Sequence, residues 1–362
     1  MFHAHSVPLI SSRRSVSMRE TDTSGAVITR IRPAAQVLLK DSPQPMFEGV
    51  RAVGDGHFVL AWGGPYVYSS NAVELRTLQG LIDTWKDLGA PLAVCGHYLL
   101  ANGPLVRGRN ASTRIFDLVQ RCILVELPLA SPFLMSRSGL VFGRLRRYFG
   151  LESSPIADPT LSARFPELRA LIDADGGLLV CCDLSGKVVF TITEQELAEP
   201  YPELTGLALS RDEMTLYYSG QRSVGAVDVS TGLLRWARHF GENVGEHFVC
   251  HRQIALSPDE TRLAVAGLCG DREPSVRIIS TLDGSAIDGV IAPDYWHALL
   301  FHGDTLIAGG NGGQLLLIDN HRQRREVKVS SAGINDLAVL GNGILCACNQ
   351  RQLRFLPLLD DE

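Results

Sequence analysis

A short apolar run that follows a turn recurs along the whole 362-residue chain. It reads DGHFVLA at 55–61, CGHYLLA at 95–101, SGLVFG at 138–143, DGGLLVC at 175–181, DEMTLYYS at 212–219, DETRLAVA at 259–266, GDTLIAG at 303–309 and GNGILCA at 341–347. The first apolar residues of the copies, Phe58, Tyr98, Leu140, Leu178, Leu216, Leu263, Leu306 and Ile344, are 38 to 47 residues apart. Propeller blades repeat at about 40 to 45 residues, and each blade buries its faces only against its neighbours. Most copies follow a candidate inner strand, such as GLALS at 206–210 or QIALS at 253–257, and precede a candidate third strand, such as GKVVF at 186–190 or SVRII at 275–279. Runs of this length between Gly, Asp, Asn and Ser turns, with no long helical period, exclude a parallel βαβ fold.

The expected fold is all-β: a single β-propeller of seven or eight four-stranded blades over residues 25–359, eight by repeat count. The third copy is the weakest match, which keeps seven open. Residues 1–24 and 360–362 read as tails. After RQLRFLPLL the last unit has no room for a fourth strand, whereas GAVITRIRPAAQVLLK at 25–40 precedes the first unit and belongs to none. An N-terminal strand beside the C-terminal ones would close the ring and remove the exposed edges.

Composition narrows the function classes. The formal charge of -5, from 34 basic and 39 acidic side chains, gives no overall field for nucleic acid or anionic lipid. The two dense basic clusters, GRLRRYFG at 143–150 and HRQRREVK at 321–328, read as solvated strand and loop faces. No apolar run reaches the about 18 residues of a membrane helix, and the first 25 residues lack a secretory apolar core. Met18 is a candidate start. Cys181, Cys182, Cys346 and Cys348 sit in apolar strand-like runs and read as buried thiols. A cytoplasmic protein is the simplest reading.

ALSPDETRLAVAG and LIAGGNGGQLLLID look like WD40 blade segments, and VDVSTGLLRW looks like a strand-turn-strand segment common to WD40 and quinoprotein propellers. Over residues 25–359 the chain resembles that superfamily. There is no Trp-Asp dipeptide, and Gly56-His57 and Gly96-His97 fall in the turn before the second strand. The likeness is therefore to architecture, and no quinone or other cofactor follows from it. It implies a rigid ring whose loops recognise another protein.

The stretch HFGENVGEHFVCH, His239 to His251, holds three histidines, a cysteine and two glutamates. If extended, His247 and His251 would lie about 13 Å apart, too far to share a zinc ion. The spacing also departs from His-Glu-x-x-His, so no metal is expected. Position says more. Val189 to Leu207 takes 18 residues and Val227 to Ile254 takes 27, which places nine extra residues between the fifth and sixth units. Leu263 to Ile278 takes 15 where the two preceding units take 11, which enlarges GLCGDREPS at 267–275. Both insertions fall on one face, and insertions tend to mark a binding face.

The candidate rim residues are therefore His239, His247, His251, Asp271, Arg272, Glu273, Tyr295, Trp296 and Asn335. His297 counts back to an inter-blade core position. No nucleophile elbow, phosphate loop or dinucleotide fingerprint occurs. The leading expectation is a non-catalytic module that binds a protein partner through loops on one face. The alternative is a propeller lyase or hydrolase whose channel-mouth histidines and acids act as general base and acid. His247 or His251 beside Glu246, Asp271 or Glu273 would favour the enzyme; exposed Tyr295 and Trp296 would favour binding.

Overall fold

The structure, a computed structural model, describes residues 30–31, 36–39, 47–62, 72–86, 88–103, 105–106, 109–110, 112–145, 159–173, 179–193, 196, 204–220, 223–239, 249–268, 275–290, 296–349 and 352–359. Seven antiparallel sheets form a propeller ring. Blade 1 runs Phe47–Gly54, His57–Trp62, Ala72–Thr77 and Gly80–Lys86. Blade 2 runs Gly89–Cys95, Tyr98–Asn102, Thr113–Asp117 and Cys122–Leu127. Blade 3 runs Ala130–Met135, Val141–Arg144, Leu179–Cys182 and Val188–Ile192. Blade 4 runs Leu204–Leu209, Thr215–Gly220, Ser223–Asp228 and Leu234–His239. Blade 5 runs Val249–Leu256, Arg262–Leu268, Val276–Ser280 and Ala286–Val290. Blade 6 runs Trp296–His302, Thr305–Gly310, Gln314–Ile318 and Arg324–Lys328. Blade 7 takes Ile334–Leu340, Gly343–Cys348 and Gln352–Leu359 from the C-terminus.

The ring closes as the sequence predicts. Gln36–Leu39 and Arg30–Ile31 pair antiparallel with Gln352–Leu359, through Gln36↔Phe355, Val37↔Arg354, Arg30↔Leu359 and Ile31↔Leu358. Pro357 has no N–H to offer a partner, and it falls in the gap between these two paired stretches. The recurring apolar run is explained by burial. Second strands are packed between neighbouring blades, so TLYYSG, TLIAGG and GILCAC are buried at every residue and read as continuous rather than alternating apolar runs.

The count of eight is corrected to seven. SGLVFG and DGGLLVC are the second and third strands of one blade, joined by Val141↔Cys182, Phe142↔Cys181 and Gly143↔Val180. GKVVF is accordingly the outer strand of blade 3, not a third strand. Residues 145–178 are inserted between the two middle strands, and this insertion is close to a blade in length, so it imitates the period. It contains helices α1 (Pro159–Ser162) and α2 (Pro166–Asp173). Leu161, Phe165 and Leu168 from this segment join Leu127, Leu129 and Cys182 in one buried cluster. Glu167 accepts the Val188 N–H at 2.7 Å, covering an edge position of the blade's outer strand.

Two further sequence readings change. The His297 count assumed equal hairpins, but that of blade 6 is Gly303-Asp304, against residues 210–214 and 257–261 in blades 4 and 5. Leu299 therefore holds the register of Leu207 and Ile254, each opposite a residue two beyond the first apolar one of the second strand. Arg144, in a basic cluster read as solvated, is buried and donates to the Leu204 carbonyl of blade 4 at 3.4 Å. Cys181, Cys182, Cys346 and Cys348 are buried free thiols, and burial pushes Cys181 and Cys182 up to about 12.

Candidate functional site: the upper mouth of the channel

Inner strands enter at the face here called upper and end at the lower one. The two faces differ in their connections. No lower connection is longer than five residues, as in 210–214, 229–233 and 281–285, and several are two, as in 55–56. Upper connections include 63–71, 103–112, 145–178, 193–203, 240–248 and 269–275.

This assignment alters the argument for insertions around HFGENVGEH. Val189 lies in an outer strand and Val227 in a third strand, so the nine-residue difference is the outer strand of blade 4 itself. Residues 240–248 do join blade 4 to blade 5, and that connection exceeds 87–88 and 128–129 but not 193–203. Long upper connections thus run from blade 1 round to blade 5.

A second feature belongs to the strands. In all seven blades the ladder between inner and second strand breaks register near its upper end: Phe47/Gly49, Gly89/Leu92, Ala130/Leu134, Leu204/Gly206, Cys250/Ile254, Trp296/Ala298 and Ile334/Asp336. A bulge inserts an unpaired residue, bends the strand and re-aims a side chain, and bulges are common beside binding sites. Here seven of them ring the channel mouth. Residues falling in these breaks include Thr205, His251, His297 and Asn335, a polar set that no periodic pattern announces.

The predicted residues divide accordingly. His247, Asp271, Arg272, Glu273 and Tyr295, with Glu246, lie outside the described residues. His251 lies in the bulge of blade 5, and its side chain lies outside them too. His239 ends the exposed outer strand of blade 4, opposite Ser223, on the circumference rather than at the channel. Trp296 requires a correction as a rim residue. It is 0% exposed and packs with Ala266, Val276, Leu299 and Ala308 between blades 5 and 6, because it precedes the bulge of blade 6 and retains ladder pairing with Gly310.

Asn335 is at the mouth. Its Nδ2 donates to the Phe47 carbonyl at 2.7 Å and to Asn349 Oδ1 at 2.9 Å, tying blade 7 to blade 1. One residue below it lies a pair that sequence reasoning missed. Asp336, its side chain 2% exposed, accepts from Arg51, from the Val50 N–H at 2.9 Å and from the Leu337 N–H at 2.9 Å. Arg51 and Asp336 are 285 positions apart, so no local signal could have joined them. Three donors thus converge on one buried carboxylate in the wall where blade 7 meets blade 1. Thr205 Oγ1 donates to the Ser219 carbonyl at 3.2 Å. Among the described residues the mouth therefore offers hydrogen-bonding groups set on rigid strands.

No protein family matches the chain by sequence. No characterised protein is similar to it in sequence either. Among solved structures it is similar to a chain in the "Crystal Structure of Mitotic Checkpoint Complex", with a TM-score of 0.62, 12% identity and coverage of 97% of this chain and 100% of that one. It is one of 1214 matching chains, so the likeness is to an architecture that many proteins share. The class that the fold defines is the seven-bladed β-propeller. Among the described residues no helix is long and apolar enough to cross a membrane.

Proposed function

We propose that the chain is a non-catalytic interaction module that binds a protein partner through the upper face, within the cytoplasm. The observation that carries this reading is the asymmetry of the ring: long connections and seven bulges gather at one face, while the other is tied off by short hairpins. A rigid ring with variable loops on one side suits recognition, since the scaffold positions the loops while they vary freely. The structural neighbour was solved as part of a protein complex, which supports the same class of role. Fold alone does not give function; the unequal construction of the two faces is what supports this role.

The test is affinity capture from native lysate with wild type and two variants. The first carries His247→Ala, Asp271→Ala, Arg272→Ala and Glu273→Ala on the upper connections. The second carries Arg322→Ala on the lower face, at an exposed position of the connection 319–323. A partner captured by wild type and the lower-face variant but lost from the upper-face variant is the expected result. No reproducible partner, or equal loss from both variants, would overturn the proposal.

A further inference from the structure

We propose that the lower mouth of the channel is a second recognition site, one that takes an extended peptide segment in which an acidic side chain is flanked by apolar ones. A cavity of about 440 Å³ opens there, built by the hairpins of blades 2 to 5. Its floor is formed by Val94, Met135, Leu209 and Leu256, at or next to the lower ends of four successive inner strands. Its charged rim consists of Arg137, Arg211, Glu213 and Glu260.

Three of these four charges are already engaged. Glu213 accepts the Arg137 N–H at 2.6 Å and the Ser138 N–H at 3.4 Å. Glu260 accepts the Arg211 N–H, and the Arg211 guanidinium donates to the Pro258 carbonyl at 2.8 Å. The carboxylates thus latch each hairpin to the preceding blade. The Arg137 guanidinium is exposed and has no hydrogen-bond or ion-pair partner among the described residues. Cys95 in the wall senses this arrangement: burial first, and then the Glu213 carboxylate, push its thiol up, while Arg137 draws it down.

The complement of an unpaired guanidinium above an apolar floor is a carboxylate beside apolar groups. The cavity is a broad cup open to solvent, not an enclosed chamber. An enclosed pocket buries most of a small ligand, and this one cannot. A peptide segment gains area from the hairpins around the cup while its side chains fill it, which selects a peptide over a small acid. The site lies at the opposite end of the inner strands from the bulged mouth, so it goes beyond the upper-face reading and does not depend on it.

The experiment uses the full chain and an equimolar mixture of capped pentapeptides Gly-Φ-Glu-Φ-Gly, with Φ drawn from Leu, Ile, Val, Met and Phe. The matching Gln series is included, and retention is read by equilibrium ultrafiltration and mass spectrometry. Glu peptides should be retained about tenfold more strongly than their Gln counterparts. Arg137→Gln should abolish that preference, and Arg235→Gln, on the outer circumference, should leave it intact. Retention of neither series, equal retention of both, or a preference surviving in Arg137→Gln would overturn the proposal.

Discussion

Two hairpins show how single residues do the joining work of the ring. Ser210 donates to Asp212 at 2.6 Å and accepts the Thr215 N–H at 2.9 Å; Ser257 donates to Asp259 at 2.6 Å and accepts the Arg262 N–H at 3.0 Å. These contacts hold Glu213 and Glu260 in the left-handed region, at φ 62° and 60°, where their carboxylates reach the preceding blade. The Ser257 hydroxyl, assisted by Thr261, holds Asp259 down to about 2 from an ordinary 3.8. A depressed carboxylate contributes stability above its ordinary value and loses it as pH falls toward the folded value. The urea midpoint of wild type should therefore drop more between about pH 4 and pH 2 than that of Asp259→Asn. Equal drops would remove Asp259 from the account. Gly186, at φ 81°, makes the other residue-scale case, because a Cβ there would overlap the Phe165 ring. Gly186→Ala should cost about 2 kcal/mol and Phe165→Ala about 3 kcal/mol. Because both changes disturb one contact, denaturant titration of the double variant should show less than the sum.

Strands at the circumference of a propeller expose unpaired backbone, which invites pairing with other chains. In blades 1 to 5 the ladder to the outer strand shifts register once, at Leu75/Arg76, Ile115/Phe116, Cys181/Cys182, Ala226/Val227 and Ile278/Ile279. Such bulges twist an edge away from a flat template. The ladder of blade 6 has no shift, and its outer strand, RREVK, is charged at four of five positions instead. Blade 7 is covered by the N-terminal strand. Deleting residues 1–39 would uncover Gln352–Leu359, so the truncated chain should melt lower and aggregate, whereas deleting residues 1–24 should leave the melting temperature unchanged. Scanning calorimetry with light scattering checks both outcomes. Equal behaviour of the two truncations would deny the N-terminal strand its closing role.

At the scale of the whole molecule, two faces of unequal construction define what the ring can do, and the capture and peptide experiments address one face each. Upper-face substitutions should leave peptide retention unchanged, and Arg137→Gln should leave partner capture unchanged; coupled loss would mean that the sites are not independent. The repeat, the strand lengths and the closing strand were legible in the chain itself. A strand packed on both sides must be apolar over most of its length, a turn must carry Gly, Asp or Ser, and a missing fourth strand must come from elsewhere; each is a local requirement written in local residues. The number of blades was not legible, because an insertion of nearly one period between Arg144 and Leu179 passes for a blade until hydrogen-bond partners are known. Nor was the burial of Trp296, which depends on where a bulge falls beside it. The bulged mouth, the Arg51–Asp336 pair and the cup beneath Arg137 were decided by tertiary structure, since each depends on register and on neighbours that only closure of the ring brings together.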